Sequence, residues 1–161
     1  MLQDIDESYP ADLPVKEVAL YIAGKKADAY RKTLADDELV ITADTVVIVG
    51  DEILGKPVDE ADAVRMLRLL SGRTHQVTTG VCLLTATNEH RFAVTTDVTF
   101  KSLSDDEIRY YITRYKPFDK AGAYGIQEWI GYVGVTCLHG SYYNVMGLPV
   151  QRIYEALQQM D

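Results

Sequence analysis

The sequence lacks the long apolar run, the positive net charge and the signal-like start that would link it to a membrane or to nucleic acid. No stretch approaches the roughly 20 apolar residues that cross a bilayer. The acidic N-terminal stretch has no signal-peptide core. The net charge of −8 opposes a general nucleic-acid surface, because a phosphate backbone needs a positive footprint. We therefore expect a cytoplasmic protein that binds no membrane and no nucleic-acid polymer, although a few local cations could still hold one nucleotide.

Cysteine and histidine are scarce, with two and three copies in the chain. Cys82 and Cys137 each lie in an apolar, strand-like stretch. Because disulfides are rare in a reducing compartment, both are predicted to be core thiols. Neither residue type shows the spacing of zinc ligands, which argues against a zinc site.

The chain does have the length and apolar content of one globular domain, with 161 residues and 47% hydrophobic residues. Apolar spacing, caps and breakers predict four helices, at 15–34, 59–71, 104–116 and 149–159. Runs rich in β-branched and aromatic residues predict strands at 38–49, 76–85, 91–101 and 129–138, the middle two as a hairpin. This order predicts an α/β fold around one sheet.

Asp44 is the most informative single residue, because it interrupts an otherwise apolar strand. A buried carboxylate without a partner costs several kcal/mol, so a cation, hydrogen bonds or a cleft must offset that cost. A structural carboxylate paired with backbone donors or a neighbouring lysine fits the pattern as well as a catalytic acid does.

Lysines near that strand are candidates for binding phosphate. Lys56 lies on the short loop Gly55-Lys56-Pro57, where the glycine lets the backbone pass close to a ligand. Lys26 lies in the first helix, on a face with small residues. For both, a solvated lysine is the simpler interpretation. The glycine spacing of a Walker loop is absent.

The segment 119–128 is a third candidate, because its small residues allow close contact with a ligand. Lys120 adds a cation, and the amide of Gln127 offers both a donor and an acceptor, which suits the edge of a base. A simple turn rich in small residues is the alternative. Upstream, the acidic run with Asp4, Asp6 and Glu7 could supply a metal ligand or could simply be solvated. Magnesium prefers such carboxylates together with water and phosphate oxygens.

Five motifs in the same order resemble the Maf family, and the likeness covers nearly the whole chain. They are 41–47 (Ile-Thr-Ala-Asp-Thr-Val-Val), 54–57 (Leu-Gly-Lys-Pro), 66–72 (Met-Leu-Arg-Leu-Leu-Ser-Gly), 119–127 (Asp-Lys-Ala-Gly-Ala-Tyr-Gly-Ile-Gln) and 143–149 (Tyr-Asn-Val-Met-Gly-Leu-Pro). The resemblance implies an elongated, two-lobed α/β fold similar to inosine-triphosphate pyrophosphatases, with a mixed central sheet flanked by helices and a cleft. It also implies cleavage of a nucleoside triphosphate between the α and β phosphates, dependent on magnesium or manganese.

The resemblance also implies roles for single residues. Asp44 would accept the proton of the attacking water and share a metal with Glu7, while Lys26 and Lys56 would stabilise the phosphates. Thr45 and Gln127 would bind substrate and resemble the dTTP and UTP subgroup. Lys120, the cation of the same segment as Gln127, is also predicted to bind substrate. A homodimer is common in the family.

One departure from the family is the absence of the N-terminal Ser-x-Ser-Pro-Arg-Arg loop. We therefore expect residues 1–161 to form a single domain that is shortened at its N-terminus, lacks the first strand and binds triphosphate poorly. A nucleotide-binding regulatory module linked to septum formation, without efficient hydrolysis, is the alternative function. A structural domain without a ligand is the third.

Overall fold

The structure, a computed structural model, describes residues 4–160. Six α-helices and five strands form the described part of the chain, with two short 3-10 turns at Val15–Glu17 and Ala121–Ala123. The helices are α1 (Val18–Tyr30), α2 (Glu60–Leu70), α3 (Asp105–Tyr115), α4 (Trp129–Gly134), α5 (Tyr142–Met146) and α6 (Val150–Gln159). The strands are β1 (Val40–Val49), β2 (Glu52–Leu54), β3 (Thr74–Leu84), β4 (Glu89–Phe100) and β5 (Val135–His139).

The predicted α/β architecture with a central sheet and flanking helices is confirmed. The strand order is β2-β1-β3-β4-β5, and each of the described neighbours pairs antiparallel. None of the helices between residues 4 and 160 is long and apolar enough to cross a membrane.

The two faces of the sheet carry different layers. In β1, Val46 and Ile48 pack against α1 on one face. Val47 and Val49 point to the opposite face and join the main core with residues of α2 and α3. Because side chains alternate along a strand, the residues of β1 that precede Val46 also point to the two faces in turn.

Helix α1 lies unusually close to the sheet at Gly80 of β3. A Cβ atom at this position would lie 2.4 Å from the backbone Cα and N of Leu20. Gly80 is the register partner of Asp44 in β1. The missing side chain therefore lets α1 pack directly beside the strand that carries Asp44.

Two predicted helices begin at side chains that cap them. Asp59 accepts from the backbone N–H of Asp62 at the start of α2. Ser104 and Glu107 form a capping box at the start of α3. These caps fix where α2 and α3 begin and so orient both helices over the core.

Two predictions are wrong. The predicted strand 129–138 is helix α4 over its first six residues, and only Val135–His139 is a strand. The chain turns at this point because Glu128 N–H bonds to Gly125 and Gly131 N–H bonds to Glu128, which override the β-propensity of the segment. Cys82 is a buried thiol as predicted, but Cys137 is exposed on the edge strand β5.

Candidate active site

Asp44 and Lys26 form an ion pair on the α1 face of the sheet. Lys26 Nζ lies 3.1 Å from Asp44 Oδ1 and also donates to the Ala43 carbonyl at 3.2 Å. The Asp44 side chain is 15% exposed and that of Lys26 is 24% exposed. The pair satisfies the carboxylate, so pairing alone also fits a structural role. The residues around the pair therefore bear on whether Asp44 is structural or catalytic.

Glu7 reaches the same lysine from the N-terminal segment. Its Oε1 lies 3.2 Å from Lys26 Nζ, and its side chain is more than half exposed. One amine thus contacts two carboxylates, one from the sheet and one from outside it. The acidic residues of this run are exposed, and Asp6 contacts Lys25 at 3.8 Å.

Burial and charge shift the proton affinities of this group. Burial raises the pKa of Asp44, and it outweighs the attraction of Lys26 and the weaker attraction of Lys56. Burial opposes the charge on Lys26, but Asp44 and Glu7 overcome that opposition and raise the pKa of Lys26. Lys26 therefore stays charged, while Asp44 is a stronger proton acceptor than a solvated carboxylate.

A cleft opens around Asp44. We call this the Asp44 chamber; it has a volume of about 440 Å³ and Glu7, Lys26, Asp44 and Lys56 in its lining. A second cavity of about 380 Å³ is the Thr45 chamber, and its lining includes Thr45, Lys56, Lys120, Tyr124, Gln127 and Gly147. Thr45, Lys56 and Ala121 line both chambers. The sequence-predicted residues thus lie around two adjoining cavities.

Strand alternation explains why adjacent residues serve different chambers. Asp44 lies on the α1 face with Val46, whereas Thr45 lies on the opposite face with Val47. Lys56 is exposed on the loop after β2 and lies where the chambers meet. Lys56 therefore connects the chamber that contains Asp44 with the chamber that contains Gln127.

Two loops that carry site residues are joined by one backbone hydrogen bond. Gly122 N–H donates to the Gly55 carbonyl at 3.1 Å. Gly122 has a φ of +73°, and a Cβ there would lie 3.0 Å from two methyl carbons of Val47. Glycine is needed for this close contact, which places Lys56 and Lys120 on neighbouring loops.

Lys120 and Gln127 lie in the segment between α3 and α4. Lys120 Nζ lies 3.2 Å from Asp119 and 3.9 Å from Glu128. Buried Tyr111 supports this segment, since its hydroxyl donates to Glu128 at 2.8 Å and accepts from Gly125 N–H at 3.0 Å. Gln127 is exposed at the rim of the Thr45 chamber, where its amide is available to a ligand.

A divalent cation fits this donor set only together with a ligand. Within residues 4–160, no group of three or more His, Cys, Asp or Glu side chains is arranged to hold a metal. Asp44 and Glu7 converge on one amine, which gives two carboxylates beside a cleft. Magnesium is commonly bound by one or two carboxylates plus substrate phosphates, so these two residues suit it.

Several side chains that shape the Thr45 chamber were not predicted from the sequence. Buried Thr79 contacts the Thr45 hydroxyl at 2.8 Å. Buried Asn144 donates to the carbonyls of Val77 and Val94 and holds the segment after β5 against the sheet. The 143–149 motif includes Asn144 but does not indicate its role, and Thr79 carries no signal beyond being a polar residue in a β-rich run.

His75 lies behind the Thr45 chamber. The sequence predicted only that it does not belong to a zinc site. It is fully buried, and its Nε2 lies 2.6 Å from the hydroxyl of Tyr124, whose ring stacks edge-on against it. Burial lowers the pKa of His75 to about 4. The neutral imidazole therefore supports Tyr124 from inside the core.

The chain matches the model of a known family and several curated sequences. The family is described as Maf-like protein, and the match covers residues 1–160. A dTTP/UTP pyrophosphatase of Bacteroides thetaiotaomicron is 55% identical over 159 residues, which are 99% of this chain and 82% of that relative. The dTTP/UTP pyrophosphatase of Parabacteroides distasonis is 54% identical over 98% of this chain and 82% of the relative. The dTTP/UTP pyrophosphatase of Flavobacterium psychrophilum is 49% identical over 95% of this chain and 78% of the relative. The chain therefore belongs to the Maf family.

Proposed function

We propose that this protein hydrolyses pyrimidine nucleoside triphosphates, dTTP and UTP among them, to the monophosphate and pyrophosphate. Relatives at 49% to 57% identity carry the name dTTP/UTP pyrophosphatase. The observation that carries the proposal is the position of Asp44, a partly buried acid near Lys26 and Lys56 in a cleft that shares lining residues with the Thr45 chamber. A polyphosphate in one chamber and a base in the other would use both cavities.

In the proposed reaction, water attacks the α phosphorus and Asp44 accepts its proton. A raised pKa suits that role, because a base works best when its pKa moves toward the working pH. Lys26 and Lys56 stabilise the charge that develops on the phosphate oxygens. Lys26 also holds Asp44 in place through its 3.1 Å contact.

Magnesium or manganese is part of the proposal, with Asp44 and Glu7 as the residues that would hold it. When bound, the cation neutralises phosphate charge and polarises the bond that breaks. On the opposite face of the sheet, Thr45 and Gln127 contact the pyrimidine edge, and Lys120 contacts the phosphates or sugar. A site that hydrogen-bonds a base rejects analogues that leave its polar groups unpaired.

Replacing Asp44 by asparagine tests the proposal. Asparagine keeps an oxygen that accepts from Lys26 but cannot take the proton, so we expect pyrophosphate release to fall at least about 100-fold. Asp105→Asn, which alters an exposed acid paired with Arg68, is the control and should keep full turnover. The assay uses dTTP, UTP and CTP with and without magnesium. Turnover of D44N at the wild-type rate would refute the role of Asp44.

Nucleotide binding without any pyrophosphate release would instead favour the regulatory module. The predicted cytoplasmic location and homodimer remain predictions.

A further inference from the structure

We propose that Thr79, which lies beneath the cleft, is a positioning residue for nucleobase selection. Its role is to fix the hydroxyl of Thr45 where that hydroxyl meets the base. The inference rests on the proposed function, because it assigns the Thr45 chamber to a pyrimidine. Thr79 itself is fully buried and is not part of the chamber lining.

The first observation is the pairing of two threonines across neighbouring strands. Thr45 of β1 and Thr79 of β3 are register partners, and their hydroxyl oxygens lie 2.8 Å apart. Directly opposite side chains on one face of an antiparallel pair contact one another. Thr45 therefore has a fixed partner on the side away from the cavity.

The second observation is that each hydroxyl has one further acceptor. Thr45 can donate to the Gly147 carbonyl at 3.3 Å, and Thr79 can donate to the Asn144 carbonyl at 3.4 Å. A hydroxyl donates once and accepts through two lone pairs. In one arrangement Thr79 donates to Thr45, and in the other Thr45 donates to Thr79. Both arrangements keep the Thr45 oxygen at the same place.

The third observation is that the same threonine pair holds one wall of the chamber. Gly147 is part of the lining, and Asn144 precedes it in the segment pinned to the sheet. Through Thr79, the Thr45 hydroxyl is therefore tied to β3 and to that wall. A hydroxyl held in this way is preorganised for a base edge and loses little freedom when a ligand binds.

Pyrimidines that differ at ring nitrogen 3 are the appropriate probe. Because Thr45 uses its own proton on Thr79 or Gly147, its oxygen faces the base as an acceptor. Uracil has an N–H donor at this position and cytosine a nitrogen acceptor. A fixed hydroxyl distinguishes them better than a mobile one, which can turn to suit either base. Without Thr79 we expect Thr45 to lose this constraint, and the preference between UTP and CTP to shrink.

The experiment compares Thr79→Val with Thr78→Val. Thr78 is the next residue on the same strand, is also buried, and makes an equivalent hydroxyl contact with Thr95 at 2.9 Å. Its side chain lies on the opposite face, away from the Thr45 chamber. Both variants remove the hydroxyl of one buried threonine and its contact with a threonine on the neighbouring strand, so a general loss of stability affects them alike.

We expect T79V to reduce the UTP-to-CTP ratio of kcat/KM about fivefold, the effect of one neutral hydrogen bond. The change should arise mainly in KM, with kcat within about twofold, because Asp44 and Lys26 lie on the other face. T79S should restore the ratio, and T78V should leave it unchanged. In a Thr45→Val background, T79V should have no further effect on the ratio.

An unchanged ratio in T79V, or the same effect with and without the Thr45 hydroxyl, would overturn the inference. Absence of turnover by the unmodified chain would instead overturn the proposed hydrolysis. In that case the dissociation constants of UTP and CTP, measured on the same variants, test the role of Thr79 by the same criteria.

Discussion

Replacing Gly80 by alanine tests how the sheet sets the distance between Lys26 and Asp44. The added Cβ would lie 2.4 Å from two backbone atoms of Leu20 and 2.5 Å from the carbonyl carbon of Ala19. Carbon atoms are comfortable at about 3.5 to 4.0 Å, so α1 and β3 must separate by about 1 Å or more. Backbone atoms cannot rotate away as a flexible side chain would.

We expect this change to affect both stability and catalysis. Overpacking of this kind typically costs about 1 to 3 kcal/mol of unfolding free energy. The same shift would move Lys26 out of hydrogen-bond range of Asp44, since the present contact is 3.1 Å. A misplacement of about 1 Å in an active site can cost about 100-fold in rate. Gly80 would therefore act on the reaction without touching substrate.

The assay combines urea unfolding at pH 7 with pyrophosphate release. Gly55→Ala serves as the stability control, because a Cβ at Gly55 meets no atom within 4 Å and its φ is not positive. We expect Gly55→Ala to stay within about 0.5 kcal/mol of wild type. If G80A is as stable as wild type and turns over nucleotide at the wild-type rate, the argument from close packing is wrong.

Two further predictions concern the core behind the cleft. Burial lowers the pKa of His75 to about 4, against about 6.5 when unfolded, so its contribution is complete above about pH 6.5 and is lost as the pH falls to about 4. Urea unfolding should show a loss of about 3 kcal/mol over that window, and His75→Gln, which has no ionisable group, should not show this component. Tyr111→Phe leaves Gly125 N–H without its acceptor and should cost about 1 to 3 kcal/mol, whereas Tyr110→Phe, on the exposed neighbour, should cost under about 0.5 kcal/mol. Equal stability of the two tyrosine variants would contradict the supporting role of Tyr111.

Local chemistry made part of the fold predictable. Asp59 and Ser104 predict where α2 and α3 begin, because a side-chain oxygen at the N-cap accepts from a backbone N–H that has no partner within the helix. The hairpin of β3 and β4 was predicted to within about two residues, since both strands are rich in β-branched residues. The three-residue strand β2 was missed because its pairing depends on β1 and on the Gly50 turn, not on its own composition.

The site was predictable as a set of residue types but not as two chambers. An acid in an apolar strand pointed to Asp44, because a buried charge needs a partner. The identity of that partner, Lys26, depends on how closely α1 packs against β3, which only the folded chain determines. The helix at Trp129–Gly134 shows the same limit, since the turn at Gly125 and the burial of Ile130 in the main core together override the local β-preference.

The balance of charge in the cleft has a consequence for how substrate arrives. Among the described residues that line the two chambers, the acids Glu7, Asp44 and Asp119 face the bases Lys26, Lys56 and Lys120. These formal charges cancel, and the whole chain carries −8. A polyanion without a bound cation is therefore not attracted to the cleft by a net positive charge. A nucleotide that already carries its own dication meets less long-range repulsion, so capture should depend on free magnesium even before any bond is broken.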